Sequence, residues 1–426
     1  MPPTADQTLH DTLVVLLTIA ALGGVIALLV GRLGRTRPGF AIAPAVAVAF
    51  AIRIIAAALV SLTSVAQTLR GGDEIGFQAN ANLIANTPIG SSQWGDALVG
   101  ELHVFVLTVQ NYFLDSPELA LRVTQVGIAV VGLVLLAAAV YELAGPRASV
   151  LAMWLLAFEP AGIFFSSLLH KEANMMLAIG LVAFGGTKIW KRGEPRDLFP
   201  IVLGCLIAVA TRPYAGWFLI AAAAAIILHA GLRAERRGAL RSLSLVAMVV
   251  LFAAVAAPVV LEASTDQSLQ ENLQGSQDAN ASDSSNLSLE RVDFSTRSAV
   301  VRNLPRRIRD VLLRPYPWQL GNISQGLGVL GTAVAYLLLA LLVSTAIRNR
   351  GQIMARAGPL VYLGFFLLIA YSLSAGNAGT AFRYRTQIVA IFICVLIALW
   401  HAAEHRRVAK AAEGMQAPPQ LEPTRA

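Results

Sequence analysis

The stretch LVVLLTIAALGGVIALLV (residues 13–30) decides the class of this protein, because it runs without a single charged residue. A helix needs about 20 mostly apolar residues to cross the hydrocarbon core of a bilayer, which is about 30 Å thick. No basic segment precedes the stretch and no small-residue cleavage site follows it. We therefore expect a retained membrane span and not a signal peptide.

Similar apolar runs recur along the 426-residue chain, in which 56% of residues are hydrophobic and only 14% are charged. A soluble domain averages nearer a quarter charged residues, so the composition predicts an all-α polytopic membrane protein. We expect about eleven spans, at residues 13–30, 41–63, 120–143, 148–167, 173–190, 199–212, 214–231, 242–262, 325–347, 358–375 and 386–402. Pro213 leaves open whether the sixth and seventh runs are two spans or one kinked element.

Basic residues in the short loops predict the orientation, because Lys and Arg accumulate in cytoplasmic loops. Basic clusters lie at residues 32–37, 188–196, 233–241, 348–356 and 405–410. With an outside N-terminus all of them are cytoplasmic, and every segment of unusual chemistry faces outward. We expect a multi-pass protein of the inner (plasma) membrane with its active site facing the periplasm or exterior. The net charge of +8 is then a topology signal, and no nucleic-acid partner is expected.

This topology divides the chain into six parts. They are two N-terminal spans (1–63), an outer loop with an acidic pair and an interfacial helix (64–119), a central transmembrane bundle (120–262), a long outer loop with a basic amphipathic helix (263–324), the C-terminal spans (325–402) and a disordered cytoplasmic tail (403–426).

An acidic pair lies directly after the second span, in RGGDEIGF (70–77). Neighbouring side chains point in different directions, so we expect one of Asp73 and Glu74 to face a cavity and the other to be solvated or paired. The alternative is that both are placed to favour a helix N-terminus. Together they could help to hold a divalent cation, although two carboxylates alone are weak evidence. No His/Cys ligand set is present in the sequence.

Two neighbouring regions add ionisable residues on the predicted outer side. WGDALVGELHVFVLTVQNYFLD (94–115) has helical apolar spacing and predicts an interfacial helix that carries His103. FEPAGIFFSSLLHKEANMM (158–176) has Glu159 within an apolar run, where an ionisable residue indicates a functional or structural network. Lys171 and Glu172 follow at a turn. Lys171 either snorkels from a span end or belongs to a site.

Basic residues stand at several other outer positions. RNLPRRIRDVLLRPYPWQLGN (302–322) predicts a basic amphipathic helix, with Tyr316 and Trp318 as interfacial anchors. Its alternative role is to bind anionic lipid headgroups without catalysis. Arginine recognises phosphate through its planar fork and lysine as a point charge. We therefore expect a phosphate site formed from the outer basic residues Lys171, Arg212, Arg314, Arg383 and Arg385. No P-loop is present, which argues against an ATP-driven pump.

These segments resemble the GT-C superfamily of membrane glycosyltransferases, within the set that uses lipid-linked sugars in bacterial envelopes. The matching features are Asp73–Glu74 after an early span, the surface helix with Trp94 and His103, FEPAGIFFSSLLHKEA (158–173), Arg212, LLRPYPW (312–318) and the pair Arg383 and Arg385. The resemblance covers most of residues 64–390. One departure is that the acidic loop follows the second span and not the first.

The resemblance implies a GT-C-like bundle that transfers a hexose or pentose, with inversion, from a polyprenyl-phosphate-linked donor to an envelope glycan or lipid acceptor. Asp73 first, and Glu74 second, would be the key acidic residue. Lys171, Arg212, Arg383 and Arg385 would engage the donor phosphate. Candidates for further substrate contacts are His103, Glu159, Glu172, Tyr316 and Trp318. The partners implied are the donor, the acceptor and membrane lipids, and no cofactor beyond a divalent cation is expected.

Two other classes of protein stay open from the sequence. One is an O-antigen-polymerase or ligase type enzyme that acts on lipid-pyrophosphate oligosaccharides. The other is a non-enzymatic transporter of lipid-linked sugars. A transporter typically lines its path with several polar groups near the bilayer midplane. Here Glu159 and Arg53 are nearly alone at depth while charge gathers at one face, which favours an enzyme.

Overall fold

The computed structural model describes residues 5–63, 72–233, 292–293, 296–314, 323–376 and 378–416, and the single positions 246, 316 and 318. Every regular element within these ranges is helical. The helices are α1 (Ala5–Arg35), α2 (Ala43–Leu62), α3 (Gly72–Ala85), α4 (Ser92–Gly100), α5 (Leu102–Leu114), α6 (Glu118–Ala144), α7 (Pro146–Phe158), α8 (Pro160–Ser166), α9 (Glu172–Lys191), α10 (Leu198–Thr211), α11 (Pro213–Arg233), α12 (Arg297–Leu313), α13 (Ile323–Arg348), α14 (Ile353–Ser374) and α15 (Ala378–Gln416).

The prediction of an all-α polytopic membrane protein is confirmed. Among the described residues, 8 helices are long and apolar enough to cross a membrane, namely α1, α2, α6, α9, α11, α13, α14 and α15. The predicted span 148–167 is a pair, α7 and α8, bent by 64°. The predicted span 199–212 is the 14-residue helix α10, which is short for a crossing. The predicted span 242–262 and most of the predicted loop 263–324 lie outside the described residues.

Glu159 and Pro160 explain the bend between α7 and α8. Proline fits the first turn of a helix but has no N–H to continue the preceding one. The Glu159 side chain instead accepts hydrogen bonds from the backbone N–H groups of Ala161, at 3.1 Å, and Gly162. This carboxylate therefore caps the start of α8, which accounts for an ionisable residue within an apolar run.

Close packing of α6 against α9 forms the centre of the bundle. Gly132 allows this approach, since a Cβ atom there would lie only 2.5 Å from the Met176 carbonyl oxygen. Small residues commonly bring helices together in membranes, where van der Waals contact drives association. The predicted outer ends of these two helices carry Arg122 and Glu172, so their packing fixes the positions of two charged residues of the candidate site.

Three segments can be compared directly with the sequence predictions. The predicted surface helix 94–115 is two helices, because α4 ends at Gly100 and α5 starts after Glu101. Residues 302–313 of the predicted amphipathic segment lie in α12, whose N-terminus is capped by the Thr296 side chain; its place at the membrane interface stays a prediction. The segment 403–416, predicted to be disordered, continues α15 to Gln416. It is rich in Ala, Glu, Lys and Arg, which are strong helix formers.

Loops that the sequence assigns to one side of the membrane meet one another in the structure. At the predicted cytoplasmic end, Glu142 pairs with Arg37 at 2.7 Å and with Arg192 at 3.0 Å. The Tyr141 hydroxyl donates to the Pro38 carbonyl oxygen at 2.9 Å. The candidate residues of the predicted outer side gather at the opposite end.

Candidate active site

Asp73 and Glu74 begin α3 but face different surroundings. Glu74 is buried and pairs with Arg122, which also binds Glu118 at 2.9 Å and donates to the Ser167 carbonyl oxygen at 3.1 Å. Glu74 thus ties α3 to α6 and to the segment before α9. This position suits an anchor, and it leaves Asp73 as the carboxylate that is accessible to a substrate.

Asp73 is the exposed member of the acidic pair. Its side chain is 60% exposed, and its Oδ2 atom lies 3.0 Å from Nη1 of Arg383. The two carboxylates therefore face different surroundings, Asp73 exposed and paired with Arg383 and Glu74 buried and paired with Arg122; that one of them faces a substrate cavity stays a prediction. Both also lie in the first turn of α3, where the helix dipole favours negative charge.

Glu172 joins the two arginines at the centre of the site. Its Oε1 atom lies 2.6 Å from Nη2 of Arg212 and 3.0 Å from Nε of Arg383. Glu172 and Arg212 are both buried. Burial alone would lower the pKa of Arg212, but the Glu172 charge and nearby tyrosines raise it well above its usual value. Arg212 is therefore a permanent cation held in place by a buried partner.

Three tyrosine side chains that contact one another pack beside Arg212. The Arg212 guanidinium carbon lies 4.6 Å from the centroid of the Tyr384 ring, a cation–π contact. Tyr214 donates its hydroxyl hydrogen to the Tyr384 hydroxyl at 2.6 Å, and Tyr371 stacks on Tyr384 at 4.7 Å. Contacts on several sides restrict the guanidinium to one position. A preorganised fork of this kind loses little entropy on binding an anion.

Lys171 lies at the edge of this arrangement. Its ammonium nitrogen is 3.7 Å from the Glu101 carboxylate and 5.1 Å from the centroid of the Phe77 ring. Partial burial lowers the pKa of Lys171, although the Glu101 charge opposes the shift. Lys171 is thus held between Phe77 of α3 and Glu101, the residue before α5, and does not extend freely toward bulk water.

His103 is fully buried and not at the surface. Its Nε2 atom lies 3.1 Å from the Leu169 carbonyl oxygen, and its ring packs edge-on against Phe77. Burial lowers the pKa of His103 to about 3, so the ring is neutral. The geometry makes His103 a support for the segment 167–171. A substrate contact by His103 stays a prediction.

The structure separates Arg385 from Arg383. Arg385 donates to the carbonyl oxygens of Leu312, at 3.1 Å, and Arg314, at 2.9 Å, and to the Thr332 hydroxyl at 2.8 Å. Side chains two residues apart on a helix point about 200° apart. Arg383 therefore faces Asp73 and Glu172, whereas Arg385 fastens α12 and α13 to α15.

Arg314, Tyr316 and Trp318 follow α12. Arg314 is 3.5 Å from Asp310 and lies over the Tyr316 ring at 5.6 Å. Tyr316 and Trp318 stack with their ring centroids 4.9 Å apart, and Trp318 is 80% exposed. Among the described contacts, none joins these three side chains to Asp73 or Arg383. Arg385 links the two regions through the Arg314 carbonyl.

Glu159 and Arg53 lie deeper in the bundle. Arg53 is buried and donates to the carbonyl oxygens of Leu156, at 3.0 Å, and Ala157, at 3.1 Å. A cavity of about 20 Å³ lies between Arg53, Glu159 and Glu172, enough for one water molecule. Glu159 thus belongs to a buried polar network with Arg53, and its contact with substrate stays a prediction.

The acidic pair does not form a cation site in this arrangement. Asp73 pairs with Arg383 and Glu74 with Arg122, so their carboxylates have separate partners. The described residues contain no group of three or more His, Cys, Asp or Glu side chains that could hold a metal ion. These donors do not fit a divalent cation shared by Asp73 and Glu74.

Taken together, six charged side chains form what we call the charged cluster. It consists of Asp73, Glu101, Lys171, Glu172, Arg212 and Arg383. One buried cation, Arg212, and two partly buried ones, Lys171 and Arg383, lie beside an exposed carboxylate. Such an arrangement is suited to bind an anion and to accept a proton at the same place.

The sequence missed three residues of this region: Arg122, His170 and Tyr384. Arg122 had a signal, since a charge within the predicted span 120–143 indicates a buried partner. Tyr384 lies in the sequence between Arg383 and Arg385, which were the residues predicted for the site. His170 had no signal beyond its place beside Lys171, and its burial appears only in the folded chain.

The comparisons with known proteins add little to this geometry. No protein-family model and no curated protein sequence matches the chain. A similar solved structure is the archaeal oligosaccharyltransferase AglB from Archaeoglobus fulgidus, in complex with an inhibitory peptide and a dolichol-phosphate. The TM-score is 0.46 at 15% identity, over 88% of this chain and 52% of that chain. This chain spans about half the length of that one, and its function must be argued from its own residues.

Proposed function

We propose that the protein is a membrane glycosyltransferase that transfers a sugar from a polyprenyl-phosphate donor to an envelope glycan or lipid acceptor. The observation that carries this proposal is the position of Arg383. It contacts the exposed carboxylate of Asp73 and the buried carboxylate of Glu172, which also holds Arg212. A donor phosphate bound at these arginines would lie next to a carboxylate able to act as a base.

The charge balance of the cluster favours a donor with one negative charge. Its three cations, Lys171, Arg212 and Arg383, face three carboxylates, Asp73, Glu101 and Glu172. A phosphodiester that takes the place of Asp73 at Arg383 exchanges one negative charge for another. A pyrophosphate would bring a second charge without a further cation among these pairs. A polyprenyl-monophosphate sugar is thus favoured over the pyrophosphate substrate of a polymerase or ligase.

In the proposed mechanism the arginines and Asp73 have different roles. Arg212 and Arg383 stabilise the negative charge that grows on the departing phosphate as the anomeric carbon becomes oxocarbenium-like. Asp73, released from Arg383 by the phosphate, accepts the proton of the acceptor hydroxyl. Attack from the face opposite the phosphate inverts the anomeric carbon. Glu172 stays with the arginines throughout, because its burial and its two ion pairs hold it there.

An apolar groove offers a place for the lipid part of the donor. It lies between α10 and α11, has a volume of about 450 Å³, and is lined by apolar side chains that include Val209 and Trp217. Both of these residues are within one or two helical turns of Arg212. A polyprenyl chain in this groove would lead its phosphate toward the charged cluster, with the reaction on the periplasmic or outer side of the inner membrane.

A pair of arginine variants tests the proposal. The purified protein is given a radiolabelled polyprenyl-phosphate sugar, and transfer is compared for Arg383→Ala and Arg385→Ala. Loss of one charge-assisted contact of about 1.5–3 kcal/mol should lower donor use by about 10- to 150-fold in Arg383→Ala. Arg385→Ala should mainly lower stability, because Arg385 binds α12 and α13.

The matched donor test uses the same lipid with a pyrophosphate link. Two results would reject the proposed site. One is a preference for the pyrophosphate donor, and the other is an equal loss of activity in Arg383→Ala and Arg385→Ala once their folded fractions are matched. A label that moves across the membrane with no glycosidic product would instead indicate a transporter.

A further inference from the structure

His170 is a buried histidine at the charged cluster without an evident structural partner. It lies in the turn between α8 and α9, next to Lys171, and only 4% of its surface is exposed. Its Nδ1 atom is buried and forms no hydrogen bond to any residue that the structure describes. A buried polar group left without a partner typically costs about 1–3 kcal/mol. Such a position needs a compensating contact.

Charged groups from several elements surround the His170 ring. Those that act on it are Asp73 of α3, Glu172 of α9, Arg212 between α10 and α11, and Arg383 of α15. His103 of α5 and the adjacent Lys171 complete the set. Burial lowers the pKa of His170 to about 4, and the attraction of Glu172 only partly offsets this shift. At neutral pH the ring is uncharged.

His103 shows what a structural histidine looks like in the same region. It is also buried and neutral, but its Nε2 atom has the Leu169 carbonyl oxygen as a partner at 3.1 Å. Nδ1 of His103 is buried without a partner, as Nδ1 of His170 is, so the two rings differ in the Nε2 bond that His103 makes and His170 lacks. The His170 ring has no hydrogen bond to any residue that the structure describes, which leaves it available to a ligand.

We propose that His170 is a further donor-binding residue, whose Nδ1–H group donates a hydrogen bond to the phosphate once that phosphate replaces Asp73 at Arg383. This inference rests on the proposed function. A neutral imidazole can bind a phosphate oxygen without adding charge to a cluster in which cations and carboxylates are already equal in number. The phosphate in turn favours the imidazolium, so donor binding is coupled to proton uptake by His170.

The test measures binding of a polyprenyl methyl phosphodiester to the full-length protein in nanodiscs. This probe keeps one negative charge at every pH used. His170→Ala should weaken binding by about 10-fold, the loss of one hydrogen bond to a charged group. His170→Asn should restore most of it, because the amide nitrogen can replace Nδ1–H. Wild-type affinity should rise as pH falls from about 8 to about 5, and both variants should lose this dependence.

The matched control is His229→Asn, since His229 lies about 25 Å from Arg212 along α11 and bonds to Tyr362 at the other end of the bundle. It should bind the probe as wild type does. If Arg383→Ala loses binding while both His170 variants bind like wild type at every pH, the inference about His170 is wrong and the proposed function stands. If Arg383→Ala also binds like wild type, the proposed function itself fails.

Discussion

Replacing Asp73 with asparagine separates the two roles that the structure gives to this carboxylate. The substitution keeps the size of the side chain and removes its charge and basicity. If Asp73 accepts the proton of the acceptor hydroxyl, Asp73→Asn should lose about 10²- to 10⁴-fold in the rate of transfer, or roughly 3–5 kcal/mol.

The affinity for the donor should stay the same or increase in Asp73→Asn, whereas the rate of transfer falls. Asp73 competes with the donor phosphate for Arg383 through an ion pair of 3.0 Å. Because Asp73 is 60% exposed, solvent screens this pair, and such pairs contribute about 0.2–1 kcal/mol. Asp73→Asn should therefore bind the donor as tightly as wild type or up to about fivefold more tightly. A variant that binds better and reacts more slowly distinguishes a base from a phosphate ligand.

The assay combines equilibrium donor binding with single-turnover transfer on the same preparation. Asp96→Asn is the matched control, because Asp96 is an exposed carboxylate of α4 on the same side of the bundle; it should leave both quantities unchanged. Near-normal single-turnover rates for Asp73→Asn would refute the reasoning and leave Asp73 as a residue that favours the N-terminus of α3. Weaker donor binding would show that Asp73 helps to hold the donor.

Three further predictions concern packing, pH and the lipid groove. Gly132→Ala should lower the thermal unfolding temperature in detergent, because its Cβ atom would meet the Met176 carbonyl oxygen at 2.5 Å; an unchanged temperature would contradict the close packing of α6 and α9. Acid should destabilise the protein below the usual histidine pKa of 6.5, because His103 and His170 are neutral when folded, with pKa values lowered to about 3 and about 4. Protonation of these two rings favours the unfolded chain by up to about 2 kcal/mol each near pH 5. In His170→Asn the free energy of unfolding, measured between about pH 7 and about pH 5, should fall less steeply than in the wild type. Ala224→Trp should fill the apolar groove and raise KM for a full-length polyprenyl donor more than for a short-chain one, and equal effects on both donors would place the lipid elsewhere.

The sequence alone determined that the protein is an α-helical membrane protein, and it predicted that the candidate site residues lie at one end of the bundle. Apolar length fixes which segments can cross a bilayer, and this is a local property of the chain. That is why eight of the predicted spans appear as long apolar helices. The break at Glu159 was not predicted, because the apolar run 148–167 predicts one span, although Pro160 cannot continue the preceding helix.

Side-chain partners were decided by the tertiary structure, because they depend on atoms distant in sequence. The sequence predicted different surroundings for Asp73 and Glu74, but only the packing of α3 decides that Glu74 pairs with Arg122 and Asp73 with Arg383. The division between Arg383 and Arg385 likewise follows from which face of α15 meets Glu172 and which meets α12. A pattern of charges along a chain predicts their side of the membrane, whereas burial and pairing in three dimensions decide which of them is left to act on a substrate.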